Sequence, residues 1–135
     1  MDYRFVPTTC PYCGCGCQMF LEVLDGKLIG TEPIKTATMN EGKLCIKGWK
    51  VHEFVHSQER LTAPLIKRDG VFHEASWDEA LDLVAGKMTA IRDQHGPNAL
   101  GFLSSARCTN EENYLLQKIV RAAIGTNNVD HCARL

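Results

Sequence analysis

No apolar run in this chain of 135 residues approaches the roughly 18 that a membrane helix needs, so no helical membrane span is expected. There is no charge excess either. Fifteen Lys and Arg face 16 Asp and Glu, for a net charge of -1, which excludes the basic footprint of a nucleic-acid binder. The N-terminus, Met1-Asp2-Tyr3-Arg4-Phe5-Val6-Pro7, has neither a charged start leading into an apolar stretch nor a twin-arginine pair. Internal repeats and low-complexity tracts are absent. These absences lead to the expectation of a cytoplasmic protein. In a reducing compartment, seven cysteines, an odd count, argue for metal or redox chemistry over disulfides. A hydrophobic content of 44% with 23% charged residues is that of a soluble globular chain. The length suits one domain, or one small module with part of another.

What the chain does contain is a cysteine pattern. Cys10, Cys13, Cys17 and Cys45 are spaced C-x2-C-x3-C-x27-C. Three lie in one tight loop, Cys10-Pro-Tyr-Cys13-Gly-Cys15-Gly-Cys17, and the fourth follows a long excursion. A short loop wrapping one side of a cluster, closed by a distant residue, suits four-thiolate ligation of an iron–sulfur cluster. Soft thiolates favour such clusters, and Gly14 and Gly16 let backbone N–H groups approach the sulfurs. The alternative is a structural zinc site. Zinc ribbons usually offer two C-x2-C knuckles, whereas Cys45 stands alone; a mixed site with His52 and His56 is the remaining variant. Cys15 is separated by a single residue from Cys13 and from Cys17, so it points elsewhere if those two bind. It reads as a small spacer, with alternate ligation as the lesser option. Cys108 and Cys132, remote in sequence, read as buried spectator thiols.

Around the loop, Gln18 to Leu24 and Lys27 to Glu32 are strand-like runs joined by Asp25-Gly26, a strong hairpin signal. Asn40-Glu41-Gly42 forms a turn that delivers Cys45, and Val51, Phe54 and Val55 mark a short helix within Trp49 to His56. A second Asp-Gly hairpin spans Leu65 to Phe72. Ser76-Trp77-Asp78-Glu79 is a capping box, opening a helix with Trp77, Leu81, Val84, Met88 and Ile91 as a stripe assigned to the core. That helix should end near His95-Gly96-Pro97. Ala99 to Leu103 reads as a buried strand. Thr109-Asn110-Glu111-Glu112 is a second capping box, for a helix that stops at Gly125. The polar loop Gly125 to Asp130 offers donors for a phosphate or heterocycle, and is equally a plain turn. Lys47, by its residue type alone, is a solvated surface lysine, although a cation two residues past Cys45 would favour reduction of an anionic cluster.

Five segments in order resemble the start of the molybdopterin oxidoreductases: Cys-Pro-Tyr-Cys-Gly-x-Gly-Cys, Asn40 to Gly48, Pro64-Leu65-Ile66, Ser76 to Leu81, and Gly125 to Asp130. Within that superfamily the likeness is to catalytic subunits of cytoplasmic formate dehydrogenases, and it runs over essentially the whole chain. The resemblance implies a 4Fe-4S cluster on Cys10, Cys13, Cys17 and Cys45. It also implies a molybdenum or tungsten centre on two pterin guanine dinucleotides, where formate gives up a hydride equivalent and leaves as carbon dioxide. Lys47 then becomes the electron relay between cluster and pterin, and Arg107 and Asn110 become pterin-side residues, the arginine offset by one position from relatives. The expected partner is an electron-accepting subunit linked to a nicotinamide, a deazaflavin or a ferredoxin.

The implied fold class is α/β (α+β). A small β-hairpin cluster module occupies residues 1–60, and the first β/α elements of a layered αβα domain occupy residues 61–135. In the family, a motif like Asp130 to Leu135 is followed at once by a metal-ligating selenocysteine or cysteine and then a catalytic histidine. The expectation is therefore a translation cut at a recoded UGA, inactive alone and prone to aggregate; a stop codon other than UGA after Leu135 contradicts it. The competing expectation is a complete, stand-alone iron–sulfur electron-transfer module.

Overall fold

The computed structural model describes residues 1–132, and side chains up to residue 131. It contains helices, strands and a small antiparallel sheet. Two compact units emerge: residues 1–60 with 105–114, and residues 61–104 with 115–131.

The first unit is built on a three-stranded antiparallel sheet in the order β1 (Tyr3–Thr9), β2 (Gln18–Leu24), β3 (Lys27–Pro33). Thr9 pairs with Gln18, so the ladder runs to the foot of the cysteine loop and holds its two ends together. The Asp25-Gly26 turn takes left-handed dihedrals at both residues (φ 47° and 80°), as a two-residue hairpin with matching strand twist requires. β1 carries Pro7, which marks it as an edge strand, and the strand order places it there. Met19, 1% exposed, forms the core with Cys10 and Val51, and Tyr12, Cys17, Leu21 and Leu44 pack against it. The expected single helix after Cys45 is two short ones, α1 (Ile46–Trp49) and α2 (Val51–Val55), separated where Lys50 leaves helical geometry (φ -108°, ψ 11°). Thr31, buried on β3, directs its hydroxyl to the carbonyls of Gly48 and Trp49 at 3.0 and 2.9 Å. It thereby adds a donor to carbonyls at the end of α1, where helical partners run out.

In the second unit, β4 (Leu65–Arg68) and β5 (Val71–Glu74) form the expected hairpin around Asp69-Gly70. α3 (Trp77–His95) starts at Ser76, whose hydroxyl accepts from the Glu79 N–H at 3.1 Å. The Glu79 carboxylate is engaged by the Arg68 guanidinium. Gly96 (φ 83°) ends the helix, followed by a 3-10 turn at Pro97–Ala99. The strand expected at Ala99 to Leu103 lies further along, as β6 (Phe102–Ser105), and Leu103 is 83% exposed. It pairs with β7 (Val129–Cys132), part of which had read as a polar loop. Between them, α4 (Asn110–Ile119) passes into a π-helical turn, Val120–Ile124, that stops at Gly125 (φ 89°). Val120 is fully buried.

One expectation is overturned. The stripe assigned to the core of α3 is not buried: Trp77 is 67% exposed and Leu81 58%, Val84 is also exposed, and no residue of the helix is buried. The partners of α3 in the second unit are chiefly the two short turns Pro97–Ala99 and Val120–Ile124. Those cannot cover a stripe about four turns long.

Candidate metal centre

The cysteine loop closes on itself through the Cys10 N–H, which donates to the Cys17 carbonyl at 2.8 Å. That bond follows from the β1–β2 ladder and brings the first and third cysteines to the same side of the turn. Gly16 takes a left-handed conformation (φ 65°), which a side chain would resist, and turns the chain toward Cys17. Cys10 is buried, Cys13 and Cys17 are half-buried, and Cys15 is exposed.

Cys45 is delivered by a second device. Asn40 is buried and mimics a strand partner for Gln18, accepting from its N–H at 3.0 Å and donating to its carbonyl at 3.2 Å. The same amide donates to the Lys43 carbonyl at 2.8 Å. One side chain thus fixes the exit of the cysteine loop against the turn before Cys45. Glu41 and Gly42 are both left-handed (φ 46° and 69°), and a Cβ on Gly42 would stand 3.1 Å from the Lys35 Cα. Glycine fits that close approach.

The thiols differ in acidity for identifiable reasons. The backbone N–H groups of Gly48 and then Lys47 point at the Cys45 sulfur and lower its pKa, with the Lys47 charge adding to the effect against some burial. Burial first, and then contact with the Cys15 thiol, sulfur to sulfur at 3.5 Å, push Cys17 up to about 11. Burial also raises Cys10, and the neighbouring Cys13, Cys45 and Cys15 sulfurs reinforce the shift. These effects place Cys10 within electrostatic range of Cys13, Cys17 and Cys45, the last of them far along the chain.

Of the other candidates, Lys47 directs its ammonium over the Tyr12 ring, 5.9 Å from the centroid, and so reaches the cysteine loop from α1. Arg107 is exposed in the bend before α4. The Asn110 amide donates to the Gly14 carbonyl at 2.9 Å, a contact to the cysteine loop that local sequence did not reveal. His56 is engaged with the Leu28 carbonyl at 3.1 Å, and His52 keeps a buried Nδ1 with no hydrogen-bond partner. Cys108 is half-buried. The expectations for Cys132 and for the motif through Leu135 fall on a side chain and residues outside those described. In the loop Gly125 to Asp130, Thr126 donates to Asn98 Oδ1 at 2.8 Å, Asn127 accepts from Arg121, and Asn128 donates to the carbonyls of Asn98 and Leu100. These side chains hold the loop itself.

Among the described residues, no three His, Cys, Asp or Glu groups converge as ligands of one metal ion. A cubane with one thiolate per iron asks for a wider set. The donor chemistry fits a cluster: four thiols, two backbone N–H groups aimed at one of them, and a loop with room at Gly16. A hairpin loop with three cysteines and a fourth at a helix start is the donor set that a thiolate-held iron–sulfur cluster would use, on a mixed helix-and-strand fold. Comparison with known proteins agrees. Residues 3–57 match the molybdopterin oxidoreductase Fe4S4 domain and residues 60–135 match molybdopterin oxidoreductase. The chain belongs to the molybdopterin oxidoreductase family, whose cofactors are a 4Fe-4S cluster and molybdopterin. It is 56% identical over all 135 residues to the F420-dependent formate dehydrogenase 1 subunit alpha of Methanococcus maripaludis. It is 51% identical over 135 residues to the F420-dependent formate dehydrogenase subunit alpha of Methanocaldococcus jannaschii. In each case it spans all of this chain but 19% of the relative's length. Acetylene hydratase from Pelobacter acetylenicus superposes with a TM-score of 0.71 at 25% identity, over 93% of this chain and 18% of that one.

Proposed function

We propose that this chain forms the N-terminal, cluster-binding portion of a formate dehydrogenase catalytic subunit. The observation that carries the reading is whole-chain identity of 56% and 51% to two archaeal formate dehydrogenase alpha subunits, joined to a cysteine quartet on a hairpin frame. Cys10, Cys13, Cys17 and Cys45 would hold the cluster, which when bound stores and passes single electrons. Formate oxidation releases carbon dioxide, a proton and two electrons, so a one-electron carrier must act twice per turnover.

The chain's own residues set the conditions for that relay. The N–H groups of Lys47 and Gly48 and the Lys47 ammonium stabilise negative charge at Cys45. Lys47, lying over Tyr12 at the loop, is the proposed relay residue toward the pterin, with Arg107 and Asn110 as pterin-side residues. Residues 1–60 and 61–135 are the proposed cluster and pterin domains. The finer assignments belong to the same proposal: molybdenum or tungsten with selenocysteine or cysteine as its ligand, a cytoplasmic location, and a partner linked to F420, the acceptor in the relatives' names. No helix among the described residues is long and apolar enough to cross a membrane.

The test is the assembled enzyme carrying this segment, frozen after mixing with formate. Reduction of the cluster, seen by EPR, should be fast in the parent and at least tenfold slower in Lys47→Met with unchanged iron content. Equal rates would remove the relay role, and no formate-dependent reduction in the parent would overturn the reading.

A further inference from the structure

The start of α4 is locked by its own sequence. Thr109 donates from its N–H and its hydroxyl to Glu112 Oε2 at 2.7 and 3.1 Å, and the Glu112 N–H returns to the Thr109 hydroxyl at 3.3 Å. The Asn113 amide reaches the carbonyls of Ser105 at 3.2 Å and Thr109 at 3.0 Å, pinning the preceding bend. From this frame the Asn110 amide donates to the Gly14 carbonyl at 2.9 Å, 96 residues away. Gly14 lies between Cys13 and Cys17. It is not among the glycines with left-handed φ, so its backbone does not demand glycine. A Cβ there would nonetheless overlap Asn110 Oδ1 and lie 3.3 Å from its Cγ, so a larger residue would displace the Asn110 side chain. Residues 105–114 also pack as part of the first unit rather than with the chain on either side of them.

We propose that Asn110 is a positioning residue of the metal centre, a strut whose amide holds the Cys13–Cys17 curve at Gly14. It acts through the loop and not on the cluster. A fixed loop keeps the sulfurs and the surrounding N–H groups in place, and these set how firmly the cluster is held and its electronic environment. The inference rests on the cluster reading above.

The test uses the 135-residue chain reconstituted anaerobically with ferrous iron and sulfide, then challenged with a chelator while the visible absorbance is followed. Asn110→Ala, and the isosteric Asn110→Asp that cannot donate, should lose the cluster roughly three- to tenfold faster, the factor expected from one hydrogen bond of ordinary net strength. Both should also shift the EPR signature of the reduced cluster. Gly14→Ala should show a similar loss on its own but add nothing in the Asn110→Ala background, because both changes break the same contact. Loss of Asn110→Asp at the parental rate with an unchanged EPR signature would overturn the inference, as would Gly14→Ala and Asn110→Ala effects that multiply. A parent chain that takes up zinc but no iron and sulfide would overturn the cluster reading, and the strut with it.

Discussion

Within one cysteine set, the backbone makes thiols of unequal acidity. Cys45 sits where two N–H groups and a lysine favour its thiolate, whereas Cys10 and Cys17 are pushed the other way by burial and neighbouring sulfurs. A lowered pKa means more thiolate at a given pH, and the thiolate is both the nucleophile and the ligand. In the metal-free chain, alkylation followed by peptide mapping should therefore modify Cys45 first at about pH 7 to 8. Cys17 should react appreciably only as the pH approaches its pKa of about 11. Cys17 reacting ahead of Cys45 at neutral pH would contradict the assigned geometry. The spacing singled out the quartet, because the run of cysteines is a local property of the sequence. The ranking within it was not legible, since it depends on which N–H groups the fold turns toward which sulfur.

Elements were readable where a turn residue imposes its dihedrals. Both Asp-Gly hairpins form where the sequence places them; Thr109 and Glu112 cap their helix reciprocally, whereas Ser76 caps through its hydroxyl and Glu79 turns to Arg68 instead. The elements missed were those whose strand character depends on a partner. β1 carries a proline that only its edge position excuses, and β7 becomes a strand because β6 lies beside it. The Asn110–Gly14 contact was illegible for the same reason, joining residues 96 apart. Asn40 gives the sharpest test at this scale. Asn40→Ala strands the N–H of Gln18 and the carbonyl of Lys43, and leaves the Gln18 carbonyl to the Ile34 N–H. It should cost about 2 kcal/mol in denaturant unfolding, within the range for unsatisfied buried groups. A cost near zero would mean that the side chain does not tie the two loops.

For the molecule as a whole, the apolar stripe of α3 was correctly read as a helix face and wrongly read as core. Periodicity reports that a face is apolar, not what covers it. With Trp77, Leu81 and Val84 exposed, Leu81→Gln with Val84→Gln should leave unfolding stability within about 0.5 kcal/mol, as for surface sites. The same change should reduce self-association in sedimentation, because large exposed apolar patches drive it. A loss of several kcal/mol would show that the face is buried in solution. The chain spans 19% of the length of the two formate dehydrogenase relatives, and its cysteine quartet carries the proposed cluster binding.

The most direct test of the central claim is iron and acid-labile sulfide analysis of the anaerobically reconstituted chain, with EPR after dithionite reduction. The parent and Cys15→Ser should each hold about four iron and four sulfide per chain and give a reduced-cluster signal, and a serine at Cys10, Cys13, Cys17 or Cys45 should abolish it. One zinc with no sulfide, or a cluster that survives Cys45→Ser but not Cys15→Ser, would contradict the account.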